Sequence, residues 1–497
     1  MNNNRPLFFA SFMTLIAAGL GFGLRGAILG DWESQFGFTK QVLGEITGGG
    51  LVGGGITIIL FSTVTDRLGY KAILSLAFVL HVLSAVVTLA ATPIYASFGQ
   101  HATYQCLYWG MFMFSFANGL CETAINPLVA TLYPRQKTHY LNILHAGWPG
   151  GLVLGGALAY CFCGQKAAIQ TVRWEILMAL FLIPTAIYGV IILFQKFPLS
   201  EARAAGVTFS TMLLEFASPL LLMLVFLMAM VGYVELGTDS WITNIMNNVI
   251  KGKAFLLFVY TSTLMFVLRF FAGPIVERIN PVGLLFVGSC LAAIGLSALS
   301  YAGTALLVFL AGTTYALGKT FFWPTMLGVV GERFPKGGAL TMGTMGGIGM
   351  LSAGLLGGPG IGYQQDYFAS EKLREISPST YERYVASEKS RFLFFAPISG
   401  LDGKKVGELI DKVDANDANK PLDSVEQLDA GPVEDARLYG GRMALRWTAI
   451  IPVIMACGYL LLIVYFRAKG GYKVEILHGK PMDGEEFTGG VEAPLEM

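Results

Sequence analysis

Runs of twenty or more mostly apolar residues alternate with short polar breaks along almost the whole chain. With ends blurred by several residues, they fall at 7–29, 42–64, 72–92, 105–132, 140–163 and 174–194, then at 217–243, 254–276, 282–302, 304–330, 338–362 and 444–466. Each is long enough for a helix to cross the ~30 Å hydrocarbon core of a bilayer. A more polar stretch, Gln195–Glu215, separates the first six from the last six. The pattern predicts an all-α membrane protein of twelve transmembrane helices in two six-helix bundles. The expected divisions are an N-terminal bundle (1–194), a cytoplasmic linker (195–216), a C-terminal bundle (217–466) carrying an insertion at 363–440, and a tail (467–497). The first run has no small-residue cleavage site leading into a polar domain, so it is read as a retained helix.

Composition sharpens this. The 497 residues are 54% hydrophobic and 13% charged, against about 25% charged in soluble domains, which excludes a water-soluble fold. Lys and Arg (34) balance Asp and Glu (33), leaving no basic surplus for nucleic acid. The insertion alone holds 15 acidic and 10 basic side chains. Twelve spans put both chain ends on one side of the membrane. If that side is the cytoplasm, the inner segments hold 13 Lys/Arg and the short outer loops five, Lys40, Lys166, Arg173, Lys251 and Lys253. This fits the positive-inside rule, with Arg442 and Arg446 against it. The expected location is the inner cell membrane, with a cytoplasmic linker and tail, an outer insertion, and a monomeric protein in contact with lipid. Cys106, Cys121, Cys161, Cys163, Cys290 and Cys457 lie in or beside apolar runs without ligand spacing, so neither disulfides, a metal site nor a cofactor is expected.

Span two runs into a polar turn, Ser62-Thr-Val-Thr-Asp-Arg-Leu-Gly-Tyr-Lys71, with Asp66, Arg67 and Lys71. Span eight runs into a degenerate copy, Arg269-Phe-Phe-Ala-Gly-Pro-Ile-Val-Glu-Arg278, with Arg269, Glu277 and Arg278. A 6+6 plan with this signature after spans two and eight resembles the major facilitator superfamily of transporters. The resemblance covers nearly all the chain outside 363–440 and 470–497. It implies alternating access about a midplane site, with these six charged residues as a gate that locks and releases the halves. Glycines add to it: Gly44, Gly48, Gly49, Gly50, Gly53, Gly54 and Gly55 in span two, Gly147, Gly151 and Gly155 in span five, and Gly343, Gly347, Gly354 and Gly358 in span eleven. Small residues four apart let helices approach closely, and these spans form the superfamily's rocking seam.

Charges inside the bilayer cost at least about 2.5–3.5 kcal/mol each and usually line a pathway. Here they are Arg25, Glu122, Glu235, Asp239, Arg269 and Lys319, with imidazoles at His81 and His145. In the superfamily, spans one, four, seven and ten line the cavity, and they hold Arg25, Glu122, Glu235 with Asp239, and Lys319. Asn118, Glu122 and Asn126 are four apart and share a helix face, and Asn142 and His145, three apart, share one too. The run Glu122-Thr-Ala-Ile-Asn-Pro127, followed by Leu141-Asn-Ile-Leu-His145 and by Phe322-Trp-Pro324, is similar to the fucose permease branch of sugar:proton symporters. That resemblance implies a proton-coupling carboxylate at Glu122. It departs at Gly26, beside Arg25, where the branch has an acid, at His145 and Trp148, and in the more acidic span seven.

The expected function is a secondary active transporter importing a sugar-like solute with a proton. Arg25, Asn118, Asn126, Asn142, His145, Lys319 and the tryptophans Trp148, Trp241 and Trp323 are solute-binding candidates. Glu122, Glu235 and Asp239 are coupling candidates for H⁺ or Na⁺. Alternatives are Na⁺ coupling through Glu235 and Asp239, transport of a sugar acid or organic anion on Arg25 and Lys319, and a non-transporting sensor or scaffold. Purely structural pairs, Glu122 with Arg25 or Lys319 with Glu235, are a further reading, and His81 reads as a hydrogen-bonded packing residue. No H-E-x-x-H or G-x-S-x-G motif supports an enzyme. In the insertion, Asp411–Lys420 lacks the Gly and terminal Glu of an EF-hand loop. Glu371–Arg391 and Lys404–Val413 read as short helices, and Ala415–Pro432 as flexible.

Overall fold

The computed structural model describes residues 4–38, 40–163, 168–251, 254–387, 389–415 and 422–477, without the side chains of 40, 41, 48–51, 411, 414 and 415. Lys166, Lys253, the Lys40 side chain, glycines 48–50 as packing groups, most of Asp411–Lys420 and the tail beyond 477 therefore lie outside the described residues. Twelve membrane helices follow in order, forming two six-helix bundles. Spans one to six are Asn4–Ala27, Val42–Leu68, Tyr70–Leu89, the long helix Ala91–Leu132, Lys137–Phe162 and Trp174–Phe194. Spans seven to twelve are Pro219–Asn247, Ala254–Arg269, Ala272–Tyr301, Ala305–Arg333, Pro335–Ile376 and Ser424–Ala468. Among the described residues there are no strands, only two isolated bridges, Val385 with Leu401 and Ser390 with Ile398.

The polar turns are built alike. After span two the chain passes Asp66-Arg67-Leu68-Gly69, with Gly69 at φ 86° and ψ 152°. Span eight continues past Arg269 into the first residues of Ala272–Tyr301, and its turn, Glu277-Arg278-Ile279-Asn280, sits at a break inside that stretch, with Asn280 at φ 56° and ψ 169°. A left-handed φ suits Gly and is tolerated by Asn. The repeat is thus carried by backbone conformation as well as charge.

Glycines set the helix spacing, though not all where expected. A methyl on Gly343 would meet the Ser62 Cβ at 2.3 Å and one on Gly55 the Gly347 carbonyl at 3.0 Å, so spans two and eleven do meet across the halves. The span-five stripe does not face the other half. Gly147, Gly151 and Gly155 pack on the span-one backbone at Phe12, Ile16 and Leu20, inside the N-terminal bundle. Gly150 and Gly156, off the stripe, face Phe266 and Val259 of span eight. Spans seven and eleven each open into a π-helical turn, Tyr233–Gly237 and Ala353–Gly357. The two turns touch through Gly237 and Gly357.

The insertion grows out of spans eleven and twelve, whose helices continue beyond the apolar runs. The stretch read as flexible is corrected from Ser424 onward. Asp423 accepts from the Val425 and Glu426 amides, and the Glu426 carboxylate accepts from the Asp423 amide, a capping box that starts the helix. A small core of Leu373, Tyr384, Val406, Leu409, Val433 and Ala436 closes the insertion.

Candidate functional site

A central cavity lies between the bundles. Its walls are Glu122, His145, Trp148, Glu235, Leu236, Arg269, Trp323 and Met350. They come from spans four, five, seven, eight, ten and eleven. Glu235 sits in the span-seven π turn, a feature often found where a helix carries function.

A chain of hydrogen bonds crosses the cavity wall. The Asn126 amide donates to Glu122 Oε2 (2.7 Å) and to the Glu122 carbonyl (3.0 Å). Its Oδ1 is therefore the acceptor for His145 Nε2 (2.9 Å), which assigns the proton to Nε2. The carbonyl of His145 accepts from Arg269 Nη1 (2.6 Å). Arg269 also donates through Nε to the Thr320 carbonyl (2.7 Å) and through Nη2 to Glu235 Oε1 (3.1 Å). It is 2% exposed, and each of its three nitrogens donates one hydrogen bond. Lys319 is ion-paired with Asp239 and lies 5.0 Å from the centre of the Tyr315 ring. The membrane cations thus pair as Arg269–Glu235 and Lys319–Asp239. Glu122 is left with a neutral amide partner and no cation in ion-pair range among the described residues.

This corrects the expected pairs: Glu122 does not meet Arg25, nor Lys319 Glu235. Arg25 is buried away from the cavity, its guanidinium 3.6 Å from the centre of the Phe114 ring and its Nε and Nη2 unbonded. It is held by ring faces rather than a carboxylate. Asn118 binds His81 Nε2 (2.9 Å), whose Nδ1 meets the Tyr188 hydroxyl (2.7 Å). Asn142 donates to the Thr138 carbonyl (2.8 Å) and, across the halves, to Thr325 Oγ1 (3.1 Å). Trp241 donates to the Gly358 carbonyl (2.8 Å) toward the insertion side. Of the solute-binding candidates, Trp148, Trp323 and His145 line the cavity, and Asn126 stands directly behind it.

On the side bearing both chain ends, the halves are joined. Asp66 Oδ2 accepts from the Ala339 amide at the start of span eleven (2.9 Å). Arg67 lies over the Phe209 ring of the linker, and Lys71 donates to the Leu193 and Gln195 carbonyls. Glu277 and Arg278 are exposed. Arg269 does not stand at this junction. It is eight residues before Glu277, about 12 Å deeper along a helix, which places it in the cavity. This junction also contains residues that the sequence alone did not single out. Lys137 Nζ, 1% exposed, binds Glu201 Oε2 (2.7 Å) and the Gly331 carbonyl (3.0 Å). Glu332 Oε1 accepts from the Thr138 amide (3.0 Å) and hydroxyl (2.6 Å). Their signal was a charge at each helix end, indistinguishable there from a loop charge.

A scan against protein families matches residues 7–359 to the Major Facilitator Superfamily. No curated protein matches the sequence. Among solved structures, the proton:xylose symporter XylE of E. coli, bound to 6-bromo-6-deoxy-D-glucose, is similar with TM-score 0.64 and 13% identity over 93% of this chain and 95% of that one. The transporter FucP in its outward conformation, the fucose:proton symporter of E. coli, gives 0.57 and 17% over 92% and 98%. The human organic anion transporter MFSD10 gives 0.57 and 12% over 92% and 99%. At these identities the likeness is one of fold.

Proposed function

Because the chain belongs to the major facilitator superfamily, and is a multi-pass membrane transporter rather than an enzyme, we propose that it carries a neutral, sugar-like solute together with a proton held on Glu122. The observation that carries this is the charge balance of the cavity. Arg269 is matched by Glu235, while Glu122 has only an amide partner. With the proton on, the cavity is neutral; with it off, one negative charge stands uncompensated in a medium that penalises it. Loading and unloading the proton therefore changes how stable the cavity is when sealed from water, which is what a symporter needs.

The solute reading rests on what is free to bind. Arg269 and Lys319 are both committed to carboxylates, and Arg25 lies outside the cavity. This favours a neutral solute over a sugar acid. Glu235 and Asp239 are engaged by the same cations, which favours H⁺ over Na⁺. Trp148 and Trp323 offer ring faces suited to a sugar's apolar side, and XylE and FucP are sugar:proton symporters of this fold. The division at 194 and 216, both chain ends on the cytoplasmic side of an inner cell membrane, and a monomeric state belong to the same proposal.

The test is Glu122→Gln in reconstituted vesicles. It keeps the side chain's size and hydrogen bonding while fixing the uncharged form. Solute exchange should persist and accumulation driven by a pH gradient should vanish. Accumulation that survives would move the proton elsewhere, and loss of all exchange from a folded variant would make Glu122 a solute-binding group instead.

A further inference from the structure

The chain does not leave the bundle after span twelve. Beyond Ala468 and Lys469, Gly470 and Gly471 have φ of 84° and 99°, two successive left-handed φ values that glycine adopts without strain. They turn the chain back under the bundle, and Tyr472–Leu477 then runs across the gate. The half-buried Tyr472 donates its hydroxyl to Glu332 Oε2 (2.6 Å). The Glu475 amide donates to the Glu332 carbonyl (2.8 Å), and its carboxylate pairs with Arg333 (2.8 Å). Arg333 Nη1 donates to the Lys473 carbonyl (2.6 Å), and the Leu477 amide donates to Glu201 Oε1 (3.2 Å).

Two carboxylates divide their oxygens in the same way. Glu332 gives Oε1 to Thr138 and Oε2 to the tail. Glu201 gives Oε2 to Lys137 and Oε1 to the tail. Thr138 and Lys137 begin span five of the N-terminal bundle, whereas Glu332 ends span ten and Glu201 lies in the linker. Each tail bond fixes a carboxylate rotamer so that its other oxygen faces the N-terminal bundle, and an oriented carboxylate binds more strongly than a free one.

We propose that Tyr472–Leu477 is a working part of the gate, a strap that orients Glu332 and Glu201 and so holds this side of the transporter closed until it lets go. The inference needs only the transporter fold. It stands whatever the solute or coupling ion, and its test reads distances rather than transport.

Spin labels at the exposed positions Gln136 and Lys336 report the gap between bundles, and a third at Val474, in a separate preparation, reports whether the tail is docked. Glu475→Pro with Leu477→Pro deletes both main-chain donors without touching Glu201, Glu332 or the N-terminal bundle. Gly470→Ala with Gly471→Ala misdirects the tail and leaves every donor in place. Both should free Val474 and raise the wide-gap population at least threefold. Tyr472→Phe, the mildest change, should shift it in the same direction. Lys473→Ala, which keeps the tail's bonds, should change nothing. A mobile Val474 with an unchanged gap would overturn the proposal, because the gate would then close without the strap. An immobile Val474 in both double variants would overturn it too, since the bonds named here would not be what holds the tail.

Discussion

Glu122 and Glu235 share a cavity, yet they face different chemistry. Glu235 has Arg269 against it, and Arg269→Met would leave that carboxylate buried and unpaired. We expect a loss of about 3–5 kcal/mol, read as a marked fall in thermal stability, with much of it recovered in the Arg269→Met, Glu235→Gln double variant. Glu122→Gln removes no ion pair and should leave the melting temperature near that of the parent. The residue types were legible in the sequence: ionisable groups in apolar runs stand out, and the spacing of Glu122 and Asn126 put them on one helix face, where a hydrogen bond joins them. Their pairing was not legible. Which base meets which acid depends on helix rotation and tilt, and a one-residue change in heading turns a side chain by ~100°. Hence Lys319 meets Asp239 rather than Glu235, and Arg25 finds phenylalanine rings rather than Glu122.

At the scale of helices, close contact does two different jobs. A methyl on Gly151 would lie 2.5 Å from the Ile16 carbonyl, within one bundle. Gly151→Ala should therefore lower the melting temperature, by the equivalent of about 1–3 kcal/mol for overpacking. Gly343 meets Ser62 across the bundles. Gly343→Ala should leave each bundle intact and instead weaken closure, seen as a wider gap between labels at Gln136 and Lys336. Asp66→Ala removes the acceptor for the Ala339 amide, and it should reduce flux while keeping solute binding within a few-fold. If binding is lost from folded protein, Asp66 serves the site rather than the gate. Helix positions were readable from apolar length alone, because the bilayer imposes it. Partners of a glycine stripe were not, since a stripe states that something comes close without saying what. The Asp423–Glu426 capping box was readable and was overshadowed by the polar, Asp-rich residues before it.

For the whole molecule, the 6+6 plan was the most legible feature, since it is written in span count and in two matching turns. The gate was the least. Lys137, Glu201, Glu332 and Tyr472 are scattered over more than three hundred positions of sequence, and only closure of the bundles brings them together. Orientation gives a direct test. Cysteines introduced at Ser210 in the linker and Ala396 in the insertion should react with impermeant reagent from opposite sides, Ser210→Cys from the cytoplasm and Ala396→Cys from outside. Reaction of Ala396→Cys from the cytoplasm would reverse the assignment.

Span eleven continues into the insertion as the helix Gly358–Ile376, and the chain returns to span twelve through the helix Ser424–Thr448. From Gly358 to Ile376 alone this is 19 helical residues, about 28 Å of stiff rod. Such a rod is a pointer fixed to one bundle. A tilt of that bundle too small to see at the cavity is magnified at the pointer's tip, so a fluorophore near Ile376, watched against one on the outer end of the N-terminal bundle, turns single transport cycles into a visible sweep.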